Sequence, residues 1–136
     1  MSNNFIEVIL PDEKMTRFKN RFAERQQARV KHAIKTQESA AGYLLLFEII
    51  NQINKQELVD TGAYRASWHL MVQETSTKVS TDHPAARRLE YGFAGVDTMG
   101  RLYNQPARPH VRPALAVVRE KMRKSTVEAI LKELNS

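Results

Sequence analysis

Apolar residues recur at helical spacing through the first forty-odd positions, and this period constrains the fold more than any other feature of the chain. Met15, Phe18 and Phe22 begin it at spacings of three and four; Val30, Ala33/Ile34, Ala40/Ala41, Leu44, Phe47 and Ile50 continue it at helical intervals. Asp12 stands where a helix N-terminus is expected, with Glu13 in its first turn. The pattern predicts helix over residues 12–54. That is long for one straight helix in a chain of 136 residues. A break is expected near Lys35–Ser39, where polar residues crowd, giving one bent helix or a pair.

After Asn54 the period changes. Thr61-Gly62 marks a bend. Tyr64–Glu74 alternates in parity, with Trp68, Leu70 and Val72 on one side, which predicts a strand. Thr75–Thr77 reads as a turn and Lys78–Thr81 as the returning strand. Ala85–Tyr91 reads as a helical turn or the end of a strand, with Glu90-Tyr91-Gly92 closing it. Residues 93–109 are rich in glycine and proline and read as a long loop or loose hairpin, of a length that is usually functional or ordered by a partner. Pro113 suits the start of a last helix over 112–134. Residues 1–11 carry a short apolar run ended by Pro11, a strand or an arm that packs on a neighbour. The expected class is α+β in a single domain over 1–136: N-terminal helix or helix pair, small antiparallel sheet over 59–92, long loop, C-terminal helix.

Composition narrows the chemistry. With no cysteine, disulfides and thiolate chemistry are excluded. The longest apolar run, Tyr43–Phe47, is far too short to span a bilayer, and the first ten residues lack the basic start of a signal peptide. A cytosolic site of synthesis is expected. His32, His69, His83 and His110 form no helical pair or ligand cluster, so no metal or cofactor is expected. Asp60, Asp82, Glu90 and Asp97 are scattered, which favours turn caps and surface acids over a nuclease centre. An enzyme built on Asp82, His83 and Glu90 is the weakest alternative.

The net charge is +6, and it is uneven. Arg17, Arg21, Arg25 and Arg29 are four residues apart and share one helix face, where like charges repel unless an anion or acid answers them. Arg119 and Arg123 lie in a second basic segment. These are the candidate surfaces for DNA or an acidic partner subunit.

Three pieces follow one another between Val59 and Ala116: Val59-Asp60-Thr61-Gly62 with Arg65 and Ser67; His83–Gly92, ending Glu90-Tyr91-Gly92; and Gln105-Pro106-Ala107-Arg108-Pro109-His110-Val111-Arg112-Pro113-Ala114. Their order and spacing resemble the gp-ten-like neck, or tail-completion (head–tail joining), family of long-tailed bacteriophages, with its pattern D-T-G-x-L-R-x-S, Y-A-x-x-x-E-x-G-T and P-A-x-P-F-x-R-P-A. Tyr64 replaces the pattern's Leu, Ala85 its Tyr, Phe93 its Thr and His110 its Phe. The resemblance implies a non-enzymatic structural virion protein of the neck. It would form a ring of identical copies, six- or twelve-fold, between head-closure and tail-terminator or tail-tube proteins, around non-specifically held DNA, with no membrane contact. It would be assembled in the host cytoplasm. Asp60, Thr61, Gly62, Arg65, Glu90, Gly92, Pro109, Arg112 and Pro113 would be its scaffold residues. Glu90 is expected to pair with Arg65 or Arg112. The alternative from another class is a DNA-binding accessory or regulatory protein without catalysis, drawing on the same basic faces.

Overall fold

The structure is a computed structural model that describes residues 5–10, 12–17, 28–58, 62–74, 76–96 and 98–135. Its elements run β1 (Ile6–Leu10), α1 (Ala28–Lys55), α2 (Ala63–Ala66), β2 (His69–Val72), β3 (Thr77–Thr81), α3 (Ala86–Tyr91), β4 (Phe93–Val96), β5 (Leu102–Gln105) and α4 (Val111–Leu134). The chain is α+β, as its two periodicities predict.

Two long helices form the frame. Gln56 meets Pro109, Glu48 meets Lys121 and Gln37 meets Ser125. Position falls on α1 as it rises on α4, so the pair is antiparallel. Their facing stripes join Leu45, Ile49 and Ile53 to Ala114, Val118 and Met122, and a second cluster of Val30, Ile34 and Ile130 extends the seam. Each fully buried aliphatic side chain contributes about 1.5–3 kcal/mol.

α1 passes through Lys35–Ser39 without the expected break. The reason is Glu38. The buried positions Val30, Ile34, Glu38, Ala41, Leu45, Ile49 and Ile53 keep the helical interval throughout. An acid occupies one position of the core stripe, so the interruption is one of polarity and not of backbone. Residues 13–17 are helical. Residues 18–27, where Phe18, Phe22, Arg21 and Arg25 fall, lie outside the described residues.

The sheet has the order β1-β3-β2, all antiparallel. Ile6 pairs with Thr81 and Leu10 with Thr77 on one side of β3; His69 pairs with Ser80 and Val72 with Thr77 on the other. The first strand therefore belongs to the chain's own sheet. Ile6, Val8, Leu10, Leu70, Thr77, Val79 and Thr81 share the face laid on α1. Gly42 makes that approach possible, since a Cβ there would overlap Thr77 Cγ2 and lie 2.9 Å from Leu70 Cδ1.

One further expectation is corrected and two open alternatives are decided. The strand predicted from Tyr64 starts at His69, because Ala63–Ala66 is a helical turn entered from Gly62 at φ 82°. Of the two readings of Ala85–Tyr91, the helical turn is found and the strand end is not: Glu90-Tyr91-Gly92 closes a short helix, with Gly92 at φ 81° as its C-cap. Of the two forms expected within 93–109, a long loop or a loose hairpin, the hairpin is found, an antiparallel ribbon of Phe93–Val96 against Leu102–Gln105.

Candidate functional site

The three pieces of sequence between residues 62 and 114 meet around one buried carboxylate. Glu90, on the last turn of α3, is 1% exposed. The start of α4 leaves its first backbone N–H groups without helical partners, as every helix does. Glu90 takes them. His110 N–H donates to its Oε2 at 2.8 Å, Val111 N–H to Oε2 at 3.0 Å and Arg112 N–H to Oε1 at 3.0 Å. The negative charge also sits at the positive end of the helix dipole. Arg112 closes the site from outside: its Nε donates to Oε1 at 3.0 Å and a terminal nitrogen to the Glu90 carbonyl at 2.9 Å. Burial by itself would raise the Glu90 pKa, but three backbone N–H groups and the guanidinium outweigh it and hold the carboxyl below its ordinary value.

Of the two partners expected for Glu90, Arg112 is the one found. Arg65 is exposed and donates instead to Asn54 Oδ1 at 3.0 Å. Pro113 is the third residue of α4, where a missing N–H removes no helical bond. The Pro109 carbonyl accepts from Gln56 Nε2 at 2.6 Å, and Arg108 N–H donates to the Leu89 carbonyl at 2.7 Å. Gly92 lets the chain pass close by, because a Cβ there would stand 2.9 Å from Ala107 N and Gln105 O. Asp60 and Thr61 lie outside the described residues.

Tyr64 and His110, two of the departures from the family pattern, are hydrogen-bonded to each other. Tyr64 Oη is 2.5 Å from His110 Nε2, and His110 Nδ1 is 2.8 Å from the Arg108 carbonyl. A carbonyl only accepts, so Nδ1, which also lies 3.2 Å from Glu90 Oε2, carries a proton; in the neutral ring the Tyr64 hydroxyl then donates to Nε2. Burial, reinforced by the Glu90 charge, pushes the Tyr64 hydroxyl above its ordinary range. Trp68 and His83 meet the Tyr64 ring edge-on. Ser67 Oγ donates to the Tyr64 carbonyl at 2.5 Å, which leaves the Thr81 hydroxyl to donate to Ser67 at 2.6 Å. Sequence reasoning took Tyr64 and His110 as separate packing changes. Their joint departure was the available signal.

This arrangement is a latch. It fixes α3, the root of the β4–β5 ribbon and the start of α4 to one another. Every oxygen of the Glu90 carboxylate is engaged. Asp82 is exposed, and His83 Nδ1 accepts the Ala85 N–H at 3.1 Å. Among the described residues, no three His, Asp or Glu side chains gather where a metal ion could be held.

The basic candidates are dispersed. Arg17 pairs with Glu13 at 2.6 Å on an exposed turn. Arg29 and Arg123 are exposed on α1 and α4. Arg119 Nε lies 2.5 Å from Asp12 Oδ2, Lys121 pairs with Glu48 and Lys124 with Glu120, so acids of the same chain answer much of the charge on α4. Arg21 and Arg25 lie outside the described residues.

A different feature stands out. The ribbon exposes Val96, Met99, Leu102 and Tyr103. Between it and α3 runs a groove of about 730 Å³ lined by His83, Arg87, Arg88, Tyr91 and Phe93, with the Arg88 guanidinium 4.6 Å from the Phe93 ring centre. Among the described residues, no helix is long and apolar enough to cross a membrane. No protein-family model matches the sequence, and neither the curated proteins nor the solved structures give a match.

Proposed function

We propose that this chain is a structural, non-catalytic protein of the bacteriophage neck that joins head and tail as one subunit of a ring around the DNA channel. The observation that carries the reading is the β4–β5 ribbon: apolar side chains held out in solvent on a strand pair rooted in the latch. Exposed apolar residues on an ordered projection fit a protein that works by contact with other subunits. The motif pieces behind the resemblance support it further, since Gly62, Glu90, Gly92, Pro109, Arg112 and Pro113 shape the latch and its entries. Glu90 is wholly occupied in holding a helix start, a scaffold task. In this reading the neighbours are copies of the chain, head-closure proteins on one side and tail-terminator or tail-tube proteins on the other, with DNA passing through.

Imaging of the assembled particle tests it. The expected result is ring density at the head–tail junction into which the α1–α4 pair and the sheet fit. Particles that keep head and tail joined when the gene is deleted overturn it.

One observation favours a second reading, a DNA-binding accessory. The groove between α3 and the ribbon places Arg87 and Arg88 beside Tyr91 and Phe93, a basic surface with aromatic rings. Tight binding of short duplex DNA by the isolated chain, weakening steeply with salt, would favour it over the neck.

A further inference from the structure

Two surfaces of this chain are uncharged and apolar, although charged residues make up 26% of the sequence. One is the ribbon: Phe93–Val96 and Leu102–Gln105 contain no ionisable acid or base apart from the Tyr103 phenol, Leu102 is 89% exposed and Met99, in the turn, 77%. The other lies on α1. From Thr36 to Asn54 its outward positions are Thr36, Ala40, Tyr43, Phe47 and Asn54, spaced by three, four and seven and so on one face. Tyr43 is 62% exposed and Phe47 64%. The two acids in this stretch, Glu38 and Glu48, are buried, so the face carries no charge from Thr36 to Phe47; the exposed Arg65 guanidinium meets it at Asn54, its far end. A helix face kept in water is normally charged.

We infer that the β4–β5 ribbon of one copy lies along the Tyr43–Phe47 face of α1 on the next copy. The inference names the contact behind the ring proposed above and rests on that reading. Three arguments converge on a second copy as the occupant. Both surfaces come on every chain, and within one chain both remain exposed. The central side chains of the two surfaces, Tyr43, Phe47, Val96 and Leu102, carry no charge, so burying them sheds no ionic hydration. Of the charged residues nearby, Arg101 between the strands and Arg65 beside Asn54 would fall to the solvated rim, and Asp97 lies outside the described residues. The size is also adequate. With a whole aromatic side chain covering roughly 150–250 Å², the exposed parts of Tyr43, Phe47 and, on the ribbon face shared by the Val96–Leu102 pair, Val96, Met99 and Leu102 amount to roughly 700 Å², the centre of an interface whose stable forms total roughly 1,200–2,000 Å². Ala40, Leu44, Ala94 and Asn104 flank these residues and supply the remainder. Because the two patches differ, the contact is heterologous: each copy offers its ribbon to one neighbour and its helix to the other, which generates a ring when the rotation closes.

The absence of cysteine makes the test clean. Phe47→Cys and Leu102→Cys variants are mixed at equal concentration and mildly oxidised with copper–phenanthroline. The expected result is a disulfide-linked dimer in the mixture that neither variant forms alone, and a ladder of linked oligomers from the double variant. Leu102→Asp, at an exposed site, should keep the circular dichroism of the wild type and raise the concentration needed for association at least about ten-fold. Cross-linking by Phe47→Cys alone as strong as in the mixture means helix-to-helix pairing and overturns the inference. Oligomers seen by light scattering without the mixed cross-link overturn this contact and leave the ring proposal standing. A chain that stays monomeric at every concentration and is absent from purified particles overturns both.

Discussion

Glu90 and His110 are twenty residues apart, and the carboxylate of the first accepts the backbone N–H of the second at 2.8 Å. A helix is usually capped by the residue just before it. Here the cap comes from another helix, so the start of α4 is fixed only when α3 is in place. The ribbon leaves directly from that junction, since β4 begins at Phe93 just after the Gly92 cap of α3.

Glu90→Gln should therefore cost about 3 kcal/mol at pH 7, because an amide turns N–H groups toward donors and gives up the charge that Arg112 and the helix start both favour. Acid dependence gives the sign. The folded Glu90 pKa lies below its ordinary value of 4.5. The unfolded chain then binds more protons between the two values, so stability is full above the ordinary value and is lost as pH falls through the folded one. Urea unfolding of wild type and variant at pH 7 and at decreasing pH should show the gap widest at neutrality and narrowing on acidification.

Tyr64 and His110 should behave as a pair. Tyr64→Phe strands a buried imidazole nitrogen, and His110→Phe strands a buried hydroxyl and the Arg108 carbonyl; each should cost about 1–3 kcal/mol. The double variant restores apolar character on both sides, close to the Leu and Phe of the family pattern. It should recover about 1–2 kcal/mol relative to the sum of the single losses, read from denaturant midpoints in a double-mutant cycle.

The two motif glycines should differ. Gly62 has positive φ but open space around a Cβ, so Gly62→Ala should cost about 1–2 kcal/mol of backbone strain. Gly92 has positive φ and backbone atoms 2.9 Å from the Cβ position. Gly92→Ala should cost more and loosen the ribbon, seen as faster amide exchange at Phe93–Val96 with little change at β3.

Gly42→Ala should press α1 away from the sheet, at about 1–3 kcal/mol. The overlapping atom is Thr77 Cγ2. Thr77→Ser removes that methyl and should restore part of the loss in the Gly42→Ala background, while being destabilising by itself. Thermal unfolding of the four proteins checks the coupling.

The parts of this fold that were legible in the sequence are those with enough residues to show a period. α1 was located from Val30, Ile34, Ala41 and Leu44, and β2 from the shared parity of Leu70 and Val72. The exceptions have identifiable causes. Glu38 on a core stripe looked like a helix break, since a pattern of polarity cannot show which way an acid faces. β4 and β5 have four residues each with Gly95 among them, too few to display alternation. Ala63–Ala66 is a single turn beside a strand, and its aromatic content suggested the strand. For the latch, Arg112 was foreseen as a partner of Glu90, but the three backbone donors were not. A cap supplied from twenty residues away leaves no local signature. The Tyr64–His110 bond was equally hidden, because each side chain was compatible with ordinary packing.

The antiparallel pairing of Ile6 with Thr81 has a consequence for the order of events during synthesis. The strand Ile6–Leu10 must wait until Thr77–Thr81 is made before its partner exists, and α1 must wait for α4. A nascent chain halted before β3 can hold helix but no sheet, and its apolar strand edge is open throughout. The time spent with Ile6–Leu10 unpaired is when the chain is most exposed to aggregation.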